Sequence, residues 1–358
     1  MNVIRKQGLA TLALEGGTLC GISRQEPAMQ ELFRLYYGIL LRSERQMAKV
    51  EAVFRAFEEN GIDYLPFKGC VMKALYPKPE LRVMGDADIL IRFAQYPAIR
   101  PLMEQLGMEM EVESDCEQIW KCPDLYLELH KCLVQPSHRD YYAYYGDGWS
   151  RAAHEQGFRY GFTPEDTYVY LFAHYAKHYR SGGIGCRHVL DIWMYRRAFP
   201  NLDRTYVNRE LEVLGLKQFH ENTLRLLDHW FGNGENDNVV EFMTRRIFSG
   251  GAYGNAEDYH VFTELSKTNG TKAKNSRLRY ARDLLFPPLE QMQKKYPVLE
   301  KYPVLLPVGW AVRGGAVLLR HREKLTSAVK VGQQVSDEAL NTHQENLRFV
   351  GLEYRPEE

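Results

Sequence analysis

The stretch Leu81-Arg82-Val83-Met84-Gly85-Asp86-Ala87-Asp88-Ile89-Leu90-Ile91 decides the fold. Its second half reads as an apolar strand with two carboxylates at its mouth. Side chains alternate faces along a strand, so Asp86 and Asp88 point one way. Ala87, Ile89 and Ile91 point the other way, into a core. Two carboxylates roughly 7 Å apart on one face repel each other unless a cation sits between them. Oxygen ligands of this kind suit Mg²⁺, which is usually held by one or two carboxylates plus substrate phosphates. A bare D-x-D is a weak signal. Here Phe67-Lys68-Gly69 upstream and Tyr126-Leu127-Glu128-Leu129-His130 downstream strengthen it.

Outward from this strand, residues 29–59 read as a long helix, with Met47, Val50, Val53, Phe54 and Phe57 at helical spacing and Asn60-Gly61 ending the run. Residues 62–67 form a short apolar strand, and a short helix over 70–75 stops at Tyr76-Pro77. Strand 86–92, a helix over 96–106 and strands at 108–113, 118–121 and 125–133 follow. This order describes an α+β unit with a mixed sheet. After about residue 150 the pattern turns helical. Thr163-Pro164-Glu165-Asp166 carries a cap residue, proline at the first helical position and an early acid, all start signals. That helix runs to about 179, and others are expected at 186–198, 203–213, 216–231 and 238–248. A Gly-rich loop over 249–255 and a polar linker over 264–276 come next. The expected division is an N-terminal segment 1–28, a mixed-sheet catalytic domain 29–150, a mostly helical domain 151–332 and a polar, frayed tail 333–358.

The chain has 358 residues, room for two cores, with an ordinary soluble composition. Its 46 basic residues balance 46 acidic ones, so no global positive field attracts nucleic acid. Six cysteines show no C-x-x-C pairing. The cluster Cys116, Cys122, His130 and Cys132 fits no common zinc spacing, so reduced thiols are expected. No signal peptide is visible, and the apolar run 304–319 is too short and interrupted by Arg313. Together these point to a cytoplasmic protein without a transmembrane segment.

Nucleotidyl and phosphoryl transfer at two metal ions needs clustered carboxylates. In Leu125-Tyr126-Leu127-Glu128-Leu129-His130 the leucines take one face while Tyr126, Glu128 and His130 take the other. Glu128 completes a three-carboxylate site if its strand lies beside 86–92 with matched faces; otherwise it is a solvated residue on an amphipathic strand. Lys68-Gly69 sits where a strand gives way to a helix N-terminus, a place that favours a phosphate. Lys68 or Lys73 would add charge there. Arg82 would fork onto a phosphate or pair with Glu80 or another carboxylate. His174 and His178 are spaced i, i+4 without an H-E-x-x-H glutamate, which favours a structural or substrate-facing role over a metal. Arg187 and Asp191, also i, i+4, most simply form an ion pair on one helix face.

Taken in order, Phe67-Lys68-Gly69, Tyr76-Pro77, Leu81-Arg82, Met84 to Leu90 and Glu128-Leu129-His130 resemble an uncharacterised bacterial nucleotidyltransferase family of the DNA-polymerase-β-like superfamily. The resemblance continues through His174-Tyr175-Ala176-Lys177-His178, Arg187-His188-Val189-Leu190-Asp191-Ile192 and Tyr296-Pro297 to Trp310, covering most of 30–320. It implies that Asp86, Asp88 and Glu128 bind Mg²⁺ or Mn²⁺. It also implies an NTP, such as ATP, as co-substrate, with Lys68, Gly69, Cys70, Arg82 and Gly85 on the nucleotide side. The superfamily usually has Gly-Ser or Gly-Gly at that turn; this chain has Gly69-Cys70, and a thiol is a poor donor.

The expected reaction is transfer of a nucleoside monophosphate from an NTP to an acceptor hydroxyl, with release of pyrophosphate. Nothing names the acceptor, which would be a small molecule, a glycan precursor, a protein side chain or an RNA end. His130, His174, His178, Arg187 and Asp191 are the acceptor-side candidates. The rivals are an inactive, antitoxin-like binding module of the same fold and a metal-dependent phosphotransferase.

Overall fold

The computed structural model describes residues 1–136, 138–181, 184–249, 282, 285–289, 292–293, 296–320 and 336–352. The chain opens with helices α1 (Asn2–Gln7) and α2 (Ala10–Leu19), ahead of the long α3 (Pro27–Glu59). Pro27 starts α3, where its missing N–H costs nothing. Gly61, at φ 68°, turns the chain out of it. Then come β1 (Tyr64–Phe67), the single-turn α4 (Gly69–Met72), β2 (Asp86–Ile91) and α5 (Tyr96–Gln105). Strands β3 (Glu109–Glu113), β4 (Glu117–Cys122) and β5 (Leu125–His130) lead to helix α6 (Arg139–Tyr145).

A hairpin, β6 (Ala152–Gln156) and β7 (Arg159–Phe162), extends the sheet past residue 150, where helices alone were expected. β6 ends in the polar run His154, Glu155 and Gln156, and the alternation of Tyr160 with Phe162 in β7 spans too few residues to betray a strand. The sheet has the order β3-β4-β5-β2-β1-β7-β6. β2 pairs with β5 and β1 with β7 in parallel, and the other neighbours are antiparallel. The sheet is mixed, as the α+β reading requires.

Alternation along β2 divides this sheet into a packed face and a working face. Ala87, Ile89 and Ile91 join Leu127 and Leu129 of β5 in a core with Val50, Val53 and Phe57 of α3 and Ile99 and Met103 of α5. Asp86 and Asp88 face the opposite way.

Helices α7 (Pro164–Arg180), α8 (Cys186–Ala198), α9 (Arg204–Val213), α10 (Lys217–Phe231) and α11 (Asn238–Ser249) follow close to their expected bounds. The cap before α7 is real: the Asp166 N–H donates to Thr163 Oγ1 at 3.1 Å. One compact unit comprises Met1–Tyr179 with Ile184–Gly254, so the sheet and α8–α11 belong together.

The second unit comprises Arg180–Gly183 and Asn255–Glu358. Within it lie α12 (Val298–Lys301), α13 (Leu306–Arg320) and α14 (Asp337–Phe349). The tail expected to fray from 333 thus holds a helix. Ser336 caps it, and Leu340, His343, Gln344 and Leu347 recur at helical spacing and are buried. His343 Nε2 lies 2.9 Å from the Arg180 carbonyl. Residues 250–255 and 264–276, read as loop and linker, lie outside the described residues. Among the described residues no helix is long and apolar enough to cross a membrane.

Candidate active site

Register brings the carboxylates together. In the parallel β2–β5 pair, Asp88 stands opposite Glu128, Asp86 opposite Tyr126 and Leu90 opposite His130. Partners in register share a face, so Glu128 and His130 look out beside Asp88. Ligand atoms of Asp88, Glu128 and His130 all lie within 4.8 Å of one another. His130 Nε2 sits 3.0 Å from Asp88 Oδ1 and 3.3 Å from Glu128 Oε2, and its Nδ1 is 3.6 Å from Glu117 Oε2. Asp86 shares this face but stands outside that tight group. Sequence reasoning did not single out Glu117; its only signal was its place on a neighbouring strand, opposite His130.

Lys68 supplies the cation. Its ammonium donates to Asp88 Oδ1 at 2.5 Å. Lys68 has φ 49°, a strained backbone for a side chain with a Cβ, which costs about 1–3 kcal/mol. Burial alone would push the Asp88 carboxyl up, but Lys68 and His130 hold it well below the usual carboxylate range. Asp86 goes the other way, raised by burial and by the Asp88 charge. His130 is raised despite its burial, because Asp88 and Glu128 both accept from it. Lys68 likewise stays charged far above the ordinary range because Asp88 outweighs the burial.

The other residues expected on the nucleotide side are more committed than their types suggest. A Cβ on Gly69 would stand 2.7 Å from Met84 Cγ and Sδ and 2.8 Å from Arg82 Nη1, so the turn needs glycine for packing. Buried Arg82 forks onto Asp191, Nε to Oδ1 at 3.2 Å and Nη2 to Oδ2 at 2.8 Å. The Tyr76 hydroxyl donates to the same carboxylate at 2.9 Å. Asp191 was expected to pair with Arg187 on its own helix; this bidentate partner from another element holds it instead. Arg187 Nη1 lies 3.5 Å from the Val83 carbonyl. Lys73 does not reach a phosphate turn: it is buried, donating to Ser43 Oγ at 2.9 Å and the Arg82 carbonyl at 3.0 Å. Burial and the Arg82 charge lower its pKa to about 8. Burial, with Asp88 nearby, pushes the Cys70 thiol up to about 12, so it stays protonated. Gly85 immediately precedes β2, half-buried at the mouth of the site.

Helix α7 faces this cluster through aromatic rings. Phe67 meets the His130 ring at 5.0 Å and Tyr170 at 5.5 Å, and Tyr170 stacks on His174 at 6.1 Å. Lys177, which sequence reasoning passed over, is lowered to about 8 by burial and by Lys68, while Asp88, Glu117 and Glu128 act in the opposite sense. His174 and His178 form the expected i, i+4 pair, with ring centroids 4.4 Å apart. A third imidazole, His188 of α8, joins them, and no spacing in the sequence reveals it. Burial holds His174 and His178 well below the usual imidazole range and brings His188 down to about 3.

No match is found among curated proteins. Among solved structures, the antibiotic-resistance factor ANT(2'')-Ia, known in solution, is similar to 52% of this chain over 97% of its own length, at 13% identity. Its TM-score of 0.36 is too low to carry an argument about this molecule. The match to a family is more extensive. The model described as uncharacterised nucleotidyltransferase matches residues 1–232, well over half of the chain, which therefore belongs to that nucleotidyltransferase family.

Proposed function

We propose that this nucleotidyltransferase uses a divalent metal, Mg²⁺ or Mn²⁺, held by Asp86, Asp88 and Glu128, to move a nucleoside monophosphate from an NTP to an acceptor hydroxyl. The observation that carries this reading is the register pair Asp88–Glu128, two carboxylates facing one point with an ammonium already on one of them. The donor set fits the ion: carboxylate oxygens from adjacent strands, with a bound cation in the form of Lys68. Metal in such a site stabilises the attacking and leaving oxygens of the displaced phosphate.

The residues do the positioning. Lys68 neutralises Asp88 in the absence of other cations and lies at the turn into α4, where a triphosphate would approach. Glu128 and His130, in contact, form the pair suited to hold and pass the acceptor's proton. Arg82 acts indirectly, since its fork is occupied by Asp191; it fixes the Gly69 turn against α8. With Arg82 engaged and Cys70 a weak donor, the triphosphate depends on Lys68 and backbone groups. That same observation favours the second reading, a binding module that retains the fold without turnover.

Thermal shift with each of the four NTPs, with and without Mg²⁺ or Mn²⁺, separates these readings. A ligand at a hundred times its Kd adds about 2.7 kcal/mol of stability. The wild type should show a metal-dependent rise with at least one NTP, and Asp88→Asn should lose it while remaining folded. With α-³²P-labelled NTP, transfer of label marks nucleotidyl transfer; transfer from γ-labelled NTP marks a phosphotransferase. Absence of any metal-dependent shift would end the metal–nucleotide reading.

A further inference from the structure

We propose that His174, His178 and His188 form a second metal site, separate from the carboxylate cluster, that binds a zinc-class divalent ion and leaves a fourth coordination position open. One nitrogen from each ring lies within 4.8 Å of the others. The ring centroids are 4.4, 5.7 and 5.2 Å apart. Three imidazoles on one tetrahedral ion, each with its nitrogen at the usual zinc distance, place their centroids about 5 Å apart. The rings are therefore spaced as a shared ion would space them.

The chemistry of the donors selects the ion. Imidazole nitrogen suits zinc, nickel and copper, whereas carboxylate oxygen suits magnesium and manganese. The two clusters thus sort different metals, with the rings of Tyr170 and Phe67 between them. Three histidines with a fourth position open is the pattern of a reactive rather than a purely structural zinc.

The surroundings support the ring positions. His188 is 9% exposed, and its Nδ1 is buried without a well-formed hydrogen bond among the described residues. The Gly185 carbonyl bears on the same ring, and backbone carbonyls of this kind orient ligating histidines. His174 and His178 are half-buried, which leaves an ion a way in. The charges of Lys177 and Arg187 act on His178. They work against a bare cation, a cost that the three nitrogen donors must offset. This site stands independently of the nucleotidyl-transfer reading, because its ligands and its preferred metal differ.

Co²⁺ titration of the full-length protein in saturating Mg²⁺ tests the proposal by visible absorption. A d–d band of the tetrahedral type should saturate at one ion per chain, and Zn²⁺ should abolish it. His178→Gln and His188→Gln should each weaken Co²⁺ binding by at least ~100-fold. Asp88→Asn should leave it unchanged. Circular dichroism establishes that each variant is folded; the half-exposed His178 decides the matter if the His188 variant unfolds. No band in the wild type, an undiminished band in folded His178→Gln, or a band lost only in Asp88→Asn would each overturn the proposal.

Discussion

Among single residues, Arg82 and Asp191 carry the clearest stability consequence. Each is buried, and they meet through two hydrogen bonds. Removing one partner of such a pair strands a buried charge and costs about 3–5 kcal/mol. Asp191→Ala should therefore lower the urea-unfolding free energy by that amount, and a change below ~1 kcal/mol would contradict the pairing. The pH dependence follows from the same contact. Burial would raise Asp191, but Arg82, with Arg187 and Tyr76 also facing it, depresses it. A depressed carboxylate contributes stability above its unfolded value, near 3.9, and loses it as pH falls from there through the folded value. Urea titrations at stepped acidic pH should show a steeper loss in wild type than in Asp191→Asn. The residue types of this pair were legible in the sequence, but the pairing was not. The i, i+4 spacing offered Arg187 as the partner, and only the packing of α8 beside the Tyr76–Arg82 segment supplied a better one. The third histidine was hidden for the same reason.

The strands and helices were far more legible, because β5 alternates strictly, α3 carries an apolar period, and α7 and α9 open on the capping residues Thr163 and Asp203. Asp88 and Glu128 could be placed on matching faces from alternation alone, given adjacency; adjacency itself came from the parallel β2–β5 pairing. The β6–β7 hairpin escaped because its strands are only five and four residues long, and α14 because polar residues dominate it. The turn into α4 shows how closely an element can constrain one position. Gly69 is not needed there for a left-handed backbone but for room against Met84 and Arg82. Overpacking a filled site costs about 1–3 kcal/mol, so Gly69→Ala should destabilise the protein by that much in urea titration. It should also disturb the Arg82 fork. Stability within ~0.5 kcal/mol of wild type would mean that Met84 and Arg82 yield freely.

For the whole molecule, every residue assigned to the carboxylate cluster lies in the unit formed by Met1–Tyr179 and Ile184–Gly254. A chain ending at 254 should keep the metal–nucleotide thermal shift of the full protein; loss of the shift in a folded truncation would make the second unit part of the nucleotide site. The balance of 46 basic and 46 acidic residues leaves no net charge to steer charged substrates, so any steering must come from local clusters. The parallel pairing of β2 with β5 also has a consequence for the order of events during folding. Asp88 and His130 are 42 positions apart in sequence, and Arg82 and Asp191 are 109 apart. Each doubling of a closed loop adds about 0.6 kcal/mol of entropic cost, so hairpins such as β3–β4 and β4–β5 close earlier than these contacts. The acids remain dispersed in the nascent chain and repel one another only once the central strands have zipped. The carboxylate cluster is then a late product of topology, and the metal proposed for it would be recruited by the finished sheet instead of nucleating it.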